Sequence, residues 1–281
     1  MSAASSPALD ELGTREQFTA AYDNAAAVPA AAAIVAGLRA RGDALVASCR
    51  VHADLRYGAR PRQRYDWYVA ADADAPVLVF VHGGYWQARD KRDFSAVGAG
   101  ALRAGLHVVH AEYTLAPQAG VGDMVAEIGQ LLDVLAVHPA LGCGRRVVLC
   151  GHSAGAQLAA MQRAHPTVAG VLAISGVFDL EPIRRGALND ALQLDAAAVR
   201  DCSPLRRIAV GAPTVVAFGD AELPELQRQS RDYAAALGAA GQAVRRIDVP
   251  GADHYTILDA LERDGGVLLD QAIALAAAAR H

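Results

Sequence analysis

The 281-residue chain has no basic stripe to follow a phosphate backbone, and its formal net charge of −4, with both signs interspersed, leaves no polybasic anchor for anionic lipid. Nucleic acid and membrane surfaces are therefore set aside as partners. A small molecule is the expected one, and a homodimer is left open. The first ten residues lack a cationic segment followed by an apolar core, so no secretory leader is expected and the cytoplasm is the default location. Long hydrophobic runs are missing too. The Ala-rich stretches around residues 25–38 and 267–279 fall short of the ~20 apolar residues of a membrane span and read as helices of a soluble protein. Cys49, Cys143, Cys150 and Cys202 are scattered, with no C-x-x-C and no histidine at metal-ligand spacing, which fits reduced thiols rather than a metal site. Cys150 reads as a small buried hydrophobe. There is no repeat of fixed period and no low-complexity linker.

What the chain does have is alternation. Continuous apolar runs at residues 77–81, 107–111, 147–150, 171–174 and 214–218 suit strands buried on both faces of a parallel sheet. Helix-length segments at 91–104, 123–137, 154–164 and 225–240 separate them. The expected fold is thus α/β, a mainly parallel central sheet with helices on both faces, forming a single domain over 1–281. Residues 244–249 alternate apolar and polar, as in a strand nearer the edge, and the segments 51–57 and 64–69 suggest a hairpin. An N-terminal helical arm over about residues 1–45 is expected as a lid or flank, with Pro29 near a helix start and Gly42-Asp43 as a turn. The excursion over about 179–208, rich in Pro, Gly and Arg, breaks the alternation and is read as a small cap above the strand ends.

One junction carries chemistry. Gly151-His152-Ser153-Ala154-Gly155 follows an apolar strand and opens a helix, the setting of a nucleophile elbow, where glycines allow a strained turn that presents the serine hydroxyl. A serine needs a base, and among nine histidines His254 is favoured, because Gly251-Ala252-Asp253-His254 lies on a loop after the last strand. A carboxylate must orient that imidazole. The turn after residues 214–218 offers Asp220 and Glu222, and similarity to hydrolases with such an elbow, many of which have an acidic residue three positions after a glycine like Gly219, favours Glu222, with Asp220 as runner-up. Asp253 is read as a loop former. The run His82-Gly83-Gly84-Tyr85-Trp86, directly after a strand, reads as an oxyanion loop in which the N–H groups of Gly83, Gly84 and Ala154 converge.

Together these motifs resemble the α/β-hydrolase superfamily and, more narrowly, the kynurenine formamidase (arylformamidase) group. The resemblance rests on His82 to Trp86, Glu112-Tyr113 with Leu115 and Pro117, Gly151 to Ala156, Ser175-Gly176-Val177-Phe178-Asp179-Leu180 and Gly251 to Tyr255. Gly219, Glu222, Pro224, Gln229 and Ser230 are similar to the group's acid turn, although glutamate stands where that pattern has aspartate. The similarity spans roughly Tyr22 to Leu261. It implies hydrolysis of an aryl formamide such as N-formyl-L-kynurenine through an acyl-enzyme, with no metal or organic cofactor. A broad carboxylesterase acting on short-chain aryl esters would use the same residues, and a non-catalytic ligand-binding relative is the reading from another class. Tyr85, Trp86 and Tyr113 are expected around the substrate, and Arg89, Arg184 and Arg185 are weighed as partners for a substrate carboxylate against plain surface charge.

Overall fold

The computed structural model describes residues 13–141 and 146–278, so Cys143, His281 and the first twelve residues of the expected arm lie outside it. Eight strands form one sheet in the order β1-β2-β4-β3-β5-β6-β7-β8. They are β1 (Val51–Arg56), β2 (Arg64–Tyr68), β3 (Val77–Val81), β4 (His107–Ala111), β5 (Val147–His152), β6 (Val168–Ile174), β7 (Thr214–Gly219) and β8 (Val244–Val249). The hairpin β1-β2 is antiparallel and joins β4 antiparallel, whereas every pair from β4 through β8 is parallel.

The apolar runs feed two cores, because side chains alternate across a strand. Val77, Val79 and Val81 enter one core with Val147, Leu149 and Val171, while Leu78 and Phe80 enter the other with Val148, Cys150 and Leu172. Cys150 is fully buried, as its place in an apolar strand suggested.

Twelve α-helices flank the sheet among the described residues: α1 (Arg15–Ala20), α2 (Asn24–Ala27), α3 (Ala31–Ser48), α4 (Ala99–Arg103), α5 (Val121–Ala136), α6 (Ala154–Met161), α7 (Glu181–Arg185), α8 (Asn189–Leu192), α9 (Ala196–Cys202), α10 (Pro224–Ala239), α11 (Asp259–Glu262) and α12 (Val267–Ala278). Helices α5, α6 and α10 pack on the first core, and α3, α4, α11 and α12 on the second. None of the helices is long and apolar enough to cross a membrane.

Two local expectations fail. The turn at Gly42-Asp43 does not form, and α3 runs through it, because Gly42 sits against the neighbouring segment: a Cβ there would lie 2.8 Å from Ser95 Cβ. The helix expected over residues 91–104 is split into a 3-10 stretch, Lys91–Gly98, and α4. Its start is fixed by Asp90, whose side chain accepts the Arg92 N–H while Asp93 accepts the Asp90 N–H.

The excursion between β6 and β7 contains α7, α8 and α9 and folds beside the arm. Ala187 N–H donates to Thr19 Oγ1, and Arg185 lies over the Phe18 ring, 4.2 Å from its centroid. Arg206 holds Asp179 through two bonds of 3.0 and 3.2 Å.

Candidate active site

The parallel strands end on one edge of the sheet, and the loops there hold the candidate residues. At the end of β5 the chain reverses into α6 through Ser153, whose φ of 57° and ψ of −120° are unusual for a non-glycine residue. The Ser153 N–H donates to Ile174 O at 2.9 Å, tying the turn to β6. The flanking glycines are demanded by close approach: a Cβ on Gly151 would lie 2.2 Å from Gly155 O, and one on Gly155 2.1 Å from Val81 O. Strand β3, strand β5 and the first turn of α6 are pressed together at this point. Strain of this kind persists only where the surroundings over-determine it, and it clusters at working sites.

His254 follows β8 across a short turn and is buried, as is Glu222, which follows β7. His254 Nδ1 lies 2.9 Å from Glu222 Oε2. The other carboxylate oxygen, Oε1, accepts from Ser175 Oγ at 2.5 Å and from Gly219 N–H at 2.7 Å. A buried carboxylate without partners would be costly, and these three contacts remove that cost while fixing its orientation. The sequence places Ser175 in a motif but does not reveal this contact with Glu222. It sits at the end of β6 with φ of 53°, the left-handed turn that aims its hydroxyl at the acid. Asp220 does something else: its Oδ1 accepts the Gly251 N–H at 2.6 Å, linking the turns after β7 and β8. Asp253 Oδ1 accepts the N–H groups of Tyr255 and Thr256 and shapes the loop.

The donor side of Ser153 is the loop after β3. Gly84 has φ of +117°, and a Cβ there would lie 2.2 Å from Ala88 O, so glycine is required. Among the described residues, the N–H groups of Gly83, Gly84 and Ala154 donate to no protein acceptor. Ala154 opens α6, where free N–H groups and the positive end of the helix dipole coincide. Behind the loop lies a polar network. His82 Nδ1 meets Gly83 O at 2.7 Å and its Nε2 meets Glu112 Oε1 at 3.0 Å. Arg62 bridges Glu112 Oε1 at 2.5 Å, Tyr113 O at 3.0 Å and Arg89 O at 2.7 Å. Burial raises the Glu112 carboxyl, but the His82 ring, the Arg62 guanidinium and the Lys91 N–H outweigh it and hold the group down at about 2.

Of the three aromatics expected around the substrate, only Tyr85 faces the opening. Trp86 is fully buried and donates its indole N–H to Gln157 Oε1 at 2.9 Å. Tyr113 is also fully buried, stacks on the His82 ring with centroids 4.6 Å apart and donates to His82 O at 3.0 Å. Both support the loop from behind. Positive φ at Tyr85 (53°) and Trp86 (60°) turns the chain sharply between one side chain and the next. The Tyr85 hydroxyl accepts from Asn24 Nδ2 at 2.8 Å and donates to Tyr22 O, which ties the loop to the N-terminal arm.

Ser153, His254 and Gly84 line one cleft of about 320 Å³, with Tyr85, Phe94 and Tyr255 as aromatic walls and Ala25 of α2 at its border. A volume of this size suits a small aromatic molecule. The arm therefore supplies part of the wall, whereas no residue of the excursion over 179–208 lines this cleft; that segment lies against α1. Arg89 lines the cleft as well, while Arg184 is held by Glu181 at 2.6 and 2.9 Å and Arg185 by the Phe18 ring. Among the described residues, no group of three or more His, Cys, Asp and Glu is placed to hold a metal ion. Phe94, Tyr255 and Ala25 were not anticipated, although Tyr255 adjoins His254 in the sequence.

The chain is similar to known proteins over most of its length. The kynurenine formamidase of Danio rerio is 30% identical over 224 residues, 74% of this chain and 76% of that protein. That of Salmo salar is 31% identical over 235 residues, 78% of this chain and 79% of that protein. A family profile described as the alpha/beta hydrolase fold matches residues 78–258. The chain belongs to the α/β-hydrolase family, among its kynurenine formamidase-like members. A candidate thioesterase of Silicibacter sp. superposes with a TM-score of 0.83 at 26% identity, covering 92% of this chain and 98% of that one. The matched profile begins within β3 and ends just beyond His254, so it encloses the loop after β3, Ser153, Glu222 and His254 of this α/β-hydrolase. The chain is a hydrolase.

Proposed function

We propose that this hydrolase cleaves an aryl formamide, of which N-formyl-L-kynurenine is the leading case, to the arylamine and formate through a Ser153 acyl-enzyme. The observation that carries the proposal is the meeting, in one aromatic-walled cleft, of a strained serine, a histidine already bonded to a buried carboxylate, and unpaired backbone donors. Kynurenine formamidases among the relatives support the substrate class.

His254 takes the Ser153 proton as Oγ bonds to the formyl carbon, and Glu222 holds the ring while it carries the charge. The carbonyl oxygen becomes an oxyanion, held by the N–H groups of Gly83, Gly84 and Ala154, each worth about 3 kcal/mol to the barrier. His254 then gives its proton to the nitrogen as the C–N bond breaks. This step is needed because an anilide anion is a poor leaving group. Water attacks the formyl-enzyme, again losing a proton to His254, and formate leaves as Ser153 recovers its hydrogen. The proposal rests on the chain's own groups throughout.

Kinetics on N-formyl-L-kynurenine and on 4-nitrophenyl acetate test the substrate class. Formamidase activity lost in Ser153→Ala is the expected result. A preference for the ester by orders of magnitude in kcat/KM would instead favour the carboxylesterase reading. Rapid stoichiometric labelling of Ser153 by a sulfonyl fluoride separates either enzyme from a ligand-binding relative, which would label slowly or not at all.

A further inference from the structure

We infer that Arg89 is a specificity residue that receives a carboxylate on the substrate within this cleft. The inference rests on the reading of this cleft as the hydrolytic site and adds to it the charge of the molecule that enters.

Arg89 lines the cleft, is exposed, and makes no side-chain hydrogen bond or ion pair among the described residues. The other arginines weighed for this role have partners in Glu181 and the Phe18 ring. Carboxylates near the cleft are engaged. Asp93 is bonded to Arg39 at 2.9 Å and to the Asp90 N–H at 3.2 Å, Asp23 accepts the Ala26 N–H at 3.0 Å, and Asp253 accepts two loop N–H groups. An unpaired guanidinium among satisfied acids is a site for an incoming anion.

The backbone around Arg89 is built rather than loose. Its φ of 80° is a left-handed conformation that a long side chain rarely adopts, and Arg62 clamps its carbonyl at 2.7 Å. The same Arg62 side chain is anchored on Glu112 and on Tyr113 O. The stem of Arg89 passes over the oxyanion loop: a Cβ on Gly84 would lie 2.8 Å from Arg89 Cγ. The glycine that opens the donor loop thus also makes room for this side chain. Strain held by a buried network next to a cleft points to a function for the residue it presents. Tyr255 lines the same cleft as Arg89 and gives it an aromatic wall. A planar fork with two parallel donors matches a carboxylate and is worth far more there than a lysine.

The ligand class is therefore an aromatic formamide or ester bearing a carboxylate. The test compares N-formyl-L-kynurenine with its α-carboxamide, which has the same shape without the negative charge, in the wild-type enzyme and in Arg89→Met, Arg89→Gly and Arg89→Lys. Met keeps the stem over Gly84, Gly suits the positive φ, and Lys keeps the charge without the fork. Wild type should favour the acid by at least about tenfold in kcat/KM, chiefly through KM, in line with a charge-assisted pair. That ratio should collapse to within about threefold in Arg89→Met and Arg89→Gly and survive in part in Arg89→Lys. Rising salt should weaken the wild-type preference. Equal use of both substrates by the wild type, or a preference that persists in both neutral variants, would overturn the inference. If neither formamide is cleaved while aryl esters are, the formamide reading fails instead. The same comparison then runs on 4-acetoxybenzoate and 4-acetoxybenzamide, with the same criteria for Arg89.

Discussion

The two sides of Ser153 are held in different ways. On one side, side chains from three successive strand ends meet each other: Ser175 after β6, Glu222 after β7 and His254 after β8. On the other, what faces the serine is backbone, and its shape comes from positive φ at Gly84, Tyr85, Trp86 and Arg89 rather than from any functional side chain. That backbone is held from a distance by Arg62, Glu112, His82 and Tyr113. Under the proposed mechanism, the contrast teaches that acid–base chemistry is carried by residue identity, whereas donor placement is carried by conformation and is paid for deep in the fold.

The strongest way to break the first side is Glu222→Ala, which removes the partner of His254 Nδ1. Loss of the carboxylate in such a triad costs about 10⁴-fold in kcat. Asp220→Ala should cost less than about threefold in kcat, because Asp220 holds Gly251 N–H and not the imidazole. Steady-state kinetics on both variants decide the matter, and the reverse ranking would move the acid to Asp220.

The second side is broken by Arg62→Ala, which frees Glu112, Tyr113 O and Arg89 O at once. A loosened donor loop should lower kcat by about 30-fold, less than the loss of a whole oxyanion donor. A smaller effect follows from Ser175→Ala, which takes one of three partners from Glu222 and should lower kcat by about tenfold, the worth of one hydrogen bond to a charged group. Partial rescue by Ser175→Thr, which restores a hydroxyl, distinguishes positioning of the acid from a packing defect. If Ser175→Ala costs more than Arg62→Ala, the donor loop does not depend on its distant anchor.

The same contrast explains what could be read from the chain. Strands β3 to β7 were legible because two-sided burial leaves continuous apolar runs, and the elbow was legible because Gly151 and Gly155 are forced by contacts under 2.5 Å from any Cβ. Glu222 was favoured over Asp220 because many hydrolases of this type have an acidic residue three positions after such a glycine. Side chains facing inward and outward along the loop after β3 could not be told apart, because nothing in the order Tyr85-Trp86 reveals that consecutive positive φ values send one ring to the cleft and bury the other. The helix through Gly42 escaped notice for a related reason: glycine marks a turn in local propensity, but here it answers to Ser95, far along the chain. Ser175 and Arg62 were hidden because their partners lie tens of residues away.

His254 is bonded through Nδ1 to a buried acid, whereas His110 is also buried but has neither ring nitrogen hydrogen-bonded among the described residues. Burial, followed by the nearby charges of Lys91 and His82, depresses His110 to about 3, against an ordinary value of about 6.5. Between those two pH values the unfolded chain binds a proton that the folded chain refuses, so acid removes stability; above pH about 6.5 neither form is protonated there and the full stability is present. The slope is about 1.4 kcal/mol per pH unit, or about 2 kcal/mol lost by pH 5. In His110→Leu this share disappears, and the variant also removes two unpartnered buried nitrogens, so at pH 7.5 it should be no less stable than the parent. Urea unfolding of both proteins at pH 7.5, 6 and 5 reads the difference. Parallel loss of stability in the two would show that the acid sensitivity lies elsewhere, with His152 the next group to test, since burial and the neighbouring His254 charge depress it in the same direction.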